Sequence, residues 1–119
     1  MKESKDSPIL VKKSYSLTTT LWIAGDFDEL RRQCLKWADN NKVCITITPT
    51  EFCYHGGSEK GARIGFESYP RFPNISSGLL LKRVESLAKE LLTCKHLNET
   101  TCLIVTPWET RWLTTRQED

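Results

Sequence analysis

VCITITPTEFCYHGGSEKGARIGFES, residues 43 to 68, is the stretch whose reading decides the fold. Val43, Ile45 and Ile47 alternate with Cys44, Thr46 and Thr48, the two-residue period of a strand that buries one face. Pro49 has no N–H to give a ladder, so it interrupts this strand, and residues 51 to 55 continue it as a kinked or bulged extension. Glycines 56, 57 and 61 then form a hairpin connection, and ARIGFESY returns as a strand with Ile64 and Phe66 on one face.

On each side of this hairpin stands one strand and one helix. SLTTTLWI is rich in Thr and apolar residues and alternates through Leu17, Thr19 and Leu21 before Ala24-Gly25 ends it. Asp26 is a helix cap with Glu29 three residues on, and Phe27, Leu30, Cys34, Trp37 and Ala38 recur at helical spacing, which predicts a helix over 26–40. Pro70 and Pro73 forbid further strand pairing. Ser76 or Ser77 starts a second helix whose stripe is Leu80, Leu81, Val84, Leu87, Ala88, Leu91 and Leu92. TCLIVT, residues 101 to 106, is apolar enough for a central strand, and Trp108, Thr110 and Trp112 alternate with Glu109, Arg111 and Leu113 as a last short strand over 108–113.

The order strand, helix, strand, strand, helix, strand, with a short C-terminal strand, is an α+β, ferredoxin-like split βαβ arrangement. Its strand order 4-1-3-2 places both helices on one face of an antiparallel sheet and leaves the other face open. Thr18, Thr20, Thr46, Thr48 and the aromatics are candidates for that open face, which would then exceed what monomers usually expose. Residues 1–14 read as a flexible N-terminal arm and 15–119 as one domain.

Composition narrows the function classes. Seventeen basic against fifteen acidic residues, net +2, lack the excess that a protein bound to phosphate backbones carries, which disfavours nucleic acid. No run reaches the roughly 18 apolar residues of a spanning helix, and MKESKDSPIL lacks a signal-peptide core, so a cytoplasmic protein without a membrane partner is expected. Cys34, Cys44, Cys53, Cys94 and Cys102 show neither CxxC nor zinc spacing and read as small buried hydrophobes. No cofactor or metal is indicated.

The long central hairpin, with its Pro-containing first strand and basic glycine-rich connection, resembles the middle of PII-like and CutA-like small trimers. The likeness is one of element order over residues 17 to 113, and it implies a homo-oligomer with anionic ligands in clefts between subunits. The single-domain layout without a catalytic motif is also similar to phage-encoded accessory proteins, a class that includes anti-defence sponges for nucleotide signals.

Two stretches are candidate sites. GGSEKG lacks Walker spacing and precedes a strand, so it is no P-loop, but His55, Lys60 and Arg63 would suit a phosphate. Its plain alternative is a flexible hairpin tip. Tyr69-Pro70-Arg71-Phe72-Pro73 offers two aromatics beside a guanidinium on a stiffened segment, which fits a base attached to a phosphate; alternatively both aromatics cap the core. Arg111, between Trp108 and Trp112, adds a second aromatic-cationic wall or a subunit contact, with the two tryptophans as interface residues. The expectation is a non-catalytic protein that sequesters a small anionic ligand such as a cyclic nucleotide; the alternative is a module that blocks a partner protein through its aromatic patch.

Overall fold

The computed structural model describes residues 8–11, 18–66, 77–97, 99 and 101–115. Along the chain run β1 (Thr19–Ala24), α1 (Phe27–Asn41), β2 (Thr46–Tyr54), β3 (Gly57–Phe66), α2 (Ser77–Leu92), β4 (Thr101–Val105) and β5 (Thr110–Thr114). The strands form one five-stranded sheet in the order β2-β3-β1-β4-β5, antiparallel at every pairing. A four-strand 4-1-3-2 sheet would leave β4 at the edge. Here β5 lies outside it, and a strand with neighbours on both sides has reason to be as apolar as TCLIV.

The helices form where their caps and stripes direct. Asp26 accepts a hydrogen bond from Glu29 N–H at 2.9 Å, satisfying one of the first-turn donors that a helix leaves unpaired. Lys42 ends α1 at φ 54, in the left-handed region, and its N–H bonds back to Ala38 and Asp39. Replacing the exposed Asp26 by Ala should cost about 1 kcal/mol, read as a lower urea midpoint at unchanged slope.

Both helices lie on one face of the sheet. Leu30, Cys34 and Trp37 from α1, and Leu80, Val84, Leu87, Ala88 and Leu91 from α2, pack with Leu21, Ile23, Ala62, Ile64, Phe66, Cys102 and Ile104 in a single core. Trp37 meets Phe66 edge-on at 5.8 Å, and its indole N–H donates to Ser86 Oγ at 3.4 Å, so the ring is buried with its polar atom satisfied.

Four local expectations are corrected. Pro49 does not interrupt β2: it sits within nine continuous residues opposite Ala62, and the strand tolerates it because β2 is the sheet's edge. The tract GSEKG is not a connection but the first half of β3, paired with Thr50 to Tyr54. Only His55 and Gly56 turn, and Gly56 adopts φ 91, a conformation cheap for glycine alone. At the C-terminus β5 begins at Thr110, not at 108, because Thr106 folds the chain first. Its Oγ1 accepts from the N–H of Trp108 and of Glu109, and its own N–H donates to Glu109 O at 2.8 Å. Trp108 is therefore in the turn, and the two tryptophans do not alternate along one strand. Finally, the five free cysteines are not uniformly buried: Cys34 and Cys102 are, whereas Cys44 and Cys53 are exposed. Most of the 1–14 arm, Tyr69 to Pro73 and the Ser76 start lie outside the described residues; Ile9, Leu10 and Val11 are exposed.

Candidate functional site

Strand parity sorts the side chains of the sheet into a helix-covered face and an open one. Leu21, Ile23, Ala62, Ile64, Cys102 and Ile104 point to the helices, so Thr20, Trp22, Arg63, Leu103 and Trp112 point away. Register aligns one row across all five strands: Trp112 beside Leu103, Leu103 beside Trp22, Trp22 beside Arg63, and Arg63 beside Thr48. Thr46, Thr48 and Thr50 give the neighbouring part of β2 hydroxyls instead of hydrocarbon. The result is an exposed apolar ridge, with Leu103 at 40% and Trp112 at 55% exposure, and a threonine field at its side.

At one end of this face β2 and β3 continue past the last residue of β1 as a two-stranded ribbon: Ala24 pairs with Gly61, Gly25 N–H donates to Lys60 O at 2.8 Å, and residues 57 to 59 pair with residues 52 to 54 of the hairpin. The ribbon and the ends of β1 and β4 border a shallow, open hollow of about 240 Å³, lined by Trp22, Ala24, Phe52, Tyr54, Glu59, Thr101 and Leu103. Trp22 and Phe52 meet edge-on with centroids 6.3 Å apart. Tyr54 donates its hydroxyl hydrogen to Glu59 Oε1 at 3.2 Å. Desolvation first, then that hydrogen bond and the Glu59 charge, raise the Tyr54 pKa, so the hydroxyl stays protonated across the physiological range.

Gly61 explains how the rings lie so close to the backbone. A Cβ there would stand 2.3 Å from Ile23 O and 2.8 Å from Phe52 Cε2, so the hollow's floor depends on a bare residue. Behind it, Cys102 is buried, and desolvation pushes its thiol to about 11; the buried Cys34 is pushed to about 12. Neither is a thiolate nucleophile near neutral pH.

The residues expected from the sequence are dispersed. Arg63 is on the open face, 5.8 Å from the Trp22 ring centroid. Lys60 has the opposite parity, and Arg111 lies on the helix side, paired with Glu109 at 2.9 Å and Glu85 at 3.3 Å. His55 is at the hairpin tip, and Tyr69, Arg71 and Phe72 fall outside the described residues. Trp108 and Trp112 are both exposed. The sequence reading missed Trp22, Phe52, Tyr54 and Glu59 as a group. Continuing the alternation Thr48, Thr50, Phe52, Tyr54 straight through Pro49 would have placed both rings on the open face.

No family model matches the chain, and no curated protein sequence does. Among solved structures it resembles a phage SAM lyase in its apo state, with a TM-score of 0.72 and 8% identity over 94% of this chain and 100% of that one. It also resembles CutA from Synechococcus elongatus, with a TM-score of 0.50 and 17% identity over 81% of this chain and 80% of that one. At such identities the likeness is one of fold. It nevertheless corrects the expectation of a non-catalytic protein, because the architecture matched end to end is one that carries an enzyme. The lack of a nucleophile or metal motif in the sequence excludes only the reactions that require one. No described helix is long and apolar enough to cross a membrane.

Proposed function

We propose that this protein is an enzyme that cleaves S-adenosylmethionine (SAM) in the hollow on the open face of a ferredoxin-like sheet. The observation that carries the reading is the chemistry of that hollow, three aromatic side chains beside a carboxylate, within a fold shared with a SAM lyase. A sulfonium is a cation attached to a nucleoside. Ring faces attract such a cation, and planar rings stack on its base. The Glu59 carboxylate is placed to accept hydrogen bonds from ribose hydroxyls, and its charge favours a positive ligand over the anionic one expected from the sequence.

The substrate supplies its own leaving group. When a C–S bond of the sulfonium breaks, its electron pair returns to sulfur and a neutral thioether nucleoside departs, while the pair of the C–H bond on the neighbouring carbon becomes a C=C double bond and its proton passes to solvent water, so charge on sulfur falls in the transition state. Apolar ring walls favour a state whose charge is dispersing, and the remaining task is orientation. Trp22 and Phe52 perform both, and Tyr54 holds Glu59 in place.

The exposed row through Leu103 and Trp112 supports burial of the open face between copies of the chain, in line with the likeness to small trimers. The 4-1-3-2 core with β5 added supports the ferredoxin-like reading.

The test is direct. Purified protein incubated with SAM should release a thioether nucleoside, seen by chromatography and mass spectrometry, and light scattering should give at least twice 13.7 kDa. Trp22→Ala should lower kcat/KM by about 10- to 100-fold, the scale of one lost stacking or strong cation–π contact. Intact SAM after prolonged incubation with folded wild-type protein, with and without divalent cations, would overturn the proposal.

A further inference from the structure

Resting on that reading of the hollow, we infer that Arg63 is the residue that recognises the carboxylate end of the substrate and so determines specificity for an amino-acid-bearing nucleoside. Three basic residues lie in the described strands. Register sends Lys60 and Arg111 to the helix side of the sheet and Arg63 to the open face. Arg111 is engaged by two carboxylates, whereas Arg63 has no ion-pair partner among the described residues. Its aromatic contact among the described residues is with Trp22, a wall of the hollow, 5.8 Å from ring centroid to Cζ.

That contact has a consequence for recognition. A guanidinium near a ring gains attraction through its face, and its N–H donors, which lie in the guanidinium plane, remain free for a planar anion. Carboxylates match that fork with two parallel hydrogen bonds. Half-buried against the indole, Arg63 loses less side-chain freedom on binding than an unsupported lysine would.

Placement along β3 gives the order of contacts. Glu59, Gly61 and Arg63 share the open face at two-residue steps, and four residues of strand span about 13 Å. Between the carboxylate and the guanidinium lie Trp22 and Phe52, above a glycine that leaves room for them. An extended substrate would therefore place ribose hydroxyls at Glu59, its sulfonium over the rings and its carboxylate at Arg63. The opposite charges at the two ends also fix its direction, because reversal would put carboxylate against carboxylate.

Stopped-flow tryptophan fluorescence, which reads binding ahead of cleavage, tests this with SAM and with decarboxylated SAM. Wild-type protein should bind SAM about 10- to 100-fold more tightly, the scale of hydrogen bonds to a charged group. Arg63→Ala should bind the two within about threefold of each other, Arg63→Lys should retain part of the preference, and both variants should melt close to wild type. The inference is overturned if Arg63→Ala keeps the preference, if it weakens both ligands equally, or if a wild-type protein that cleaves SAM shows no preference. Failure of wild type to cleave SAM at all is a different result, and it removes the reading on which this one rests.

Discussion

Gly61→Val is expected to lower the melting temperature by about 10 °C or more. The reason is backbone, not side chain: an added Cβ would lie 2.3 Å from Ile23 O and 2.7 Å from Ala24 Cα, both on the neighbouring strand. A flexible side chain can swing aside, but a carbonyl held in the β1–β3 ladder cannot move without parting the two strands. Overpacking of this kind typically costs about 1–3 kcal/mol, and here lost pairing between interior strands adds to it. Phe52 Cε2, 2.8 Å away, would also be displaced, so the proposed SAM cleavage should be lost in the variant even below its melting temperature. Gly78 is the control with the opposite sign. It is helical with nothing within 4 Å of where a Cβ would stand, and Gly78→Ala should be neutral or stabilising by up to about 1 kcal/mol. Thermal melts of the two variants side by side decide the matter; equal melting temperatures would refute the tight β1–β3 approach.

Leu87→Ala should cost about 2–5 kcal/mol, measured as a fall in the urea midpoint. Leu87 is fully buried on α2 within the single core, so truncation removes apolar contact and leaves a cavity that a close-packed interior cannot refill. Leu103→Ala removes the same atoms from the open face, where the side chain is 40% exposed. Its effect on the folding of one chain should be about 1 kcal/mol or less, while its effect on the proposed self-association should be the larger. A Leu103 variant as destabilised as the Leu87 variant at high dilution would mean that the open face is not open.

Much of the architecture was legible because it depends on local rules. Asp26 followed by Glu29 marks the start of α1, and a side-chain oxygen accepting from an N–H three residues on does so wherever the rest of the chain lies. The stripe through Leu80, Val84, Leu87, Ala88 and Leu91 predicted which side of α2 is buried, because 3.6 residues per turn places those positions together. The alternation through Thr19 and Leu21 did the same for β1. The site was much less legible. Tyr69, Arg71 and Phe72 are adjacent in sequence, which made them conspicuous, whereas Trp22, Phe52 and Glu59 converge from three strands and look unremarkable one at a time.

The sequence by itself determined the order and type of the elements, the N-cap of α1, the buried faces of the helices and the apolar character of β4, all of them consequences of spacing within a few residues. Tertiary structure alone decided that GSEKG is strand and not turn. Its Gly, Ser, Glu and Lys have little strand preference, but the two-residue turn at His55–Gly56 and the pairing of Ile47 with Ile64 extend one register through them. Tertiary structure also decided the site, because a sheet face collects every second residue from strands far apart in the chain. The same parity that separates Arg63 from Lys60 brings Arg63 to Trp22, and neither relation exists until β1 and β3 are paired.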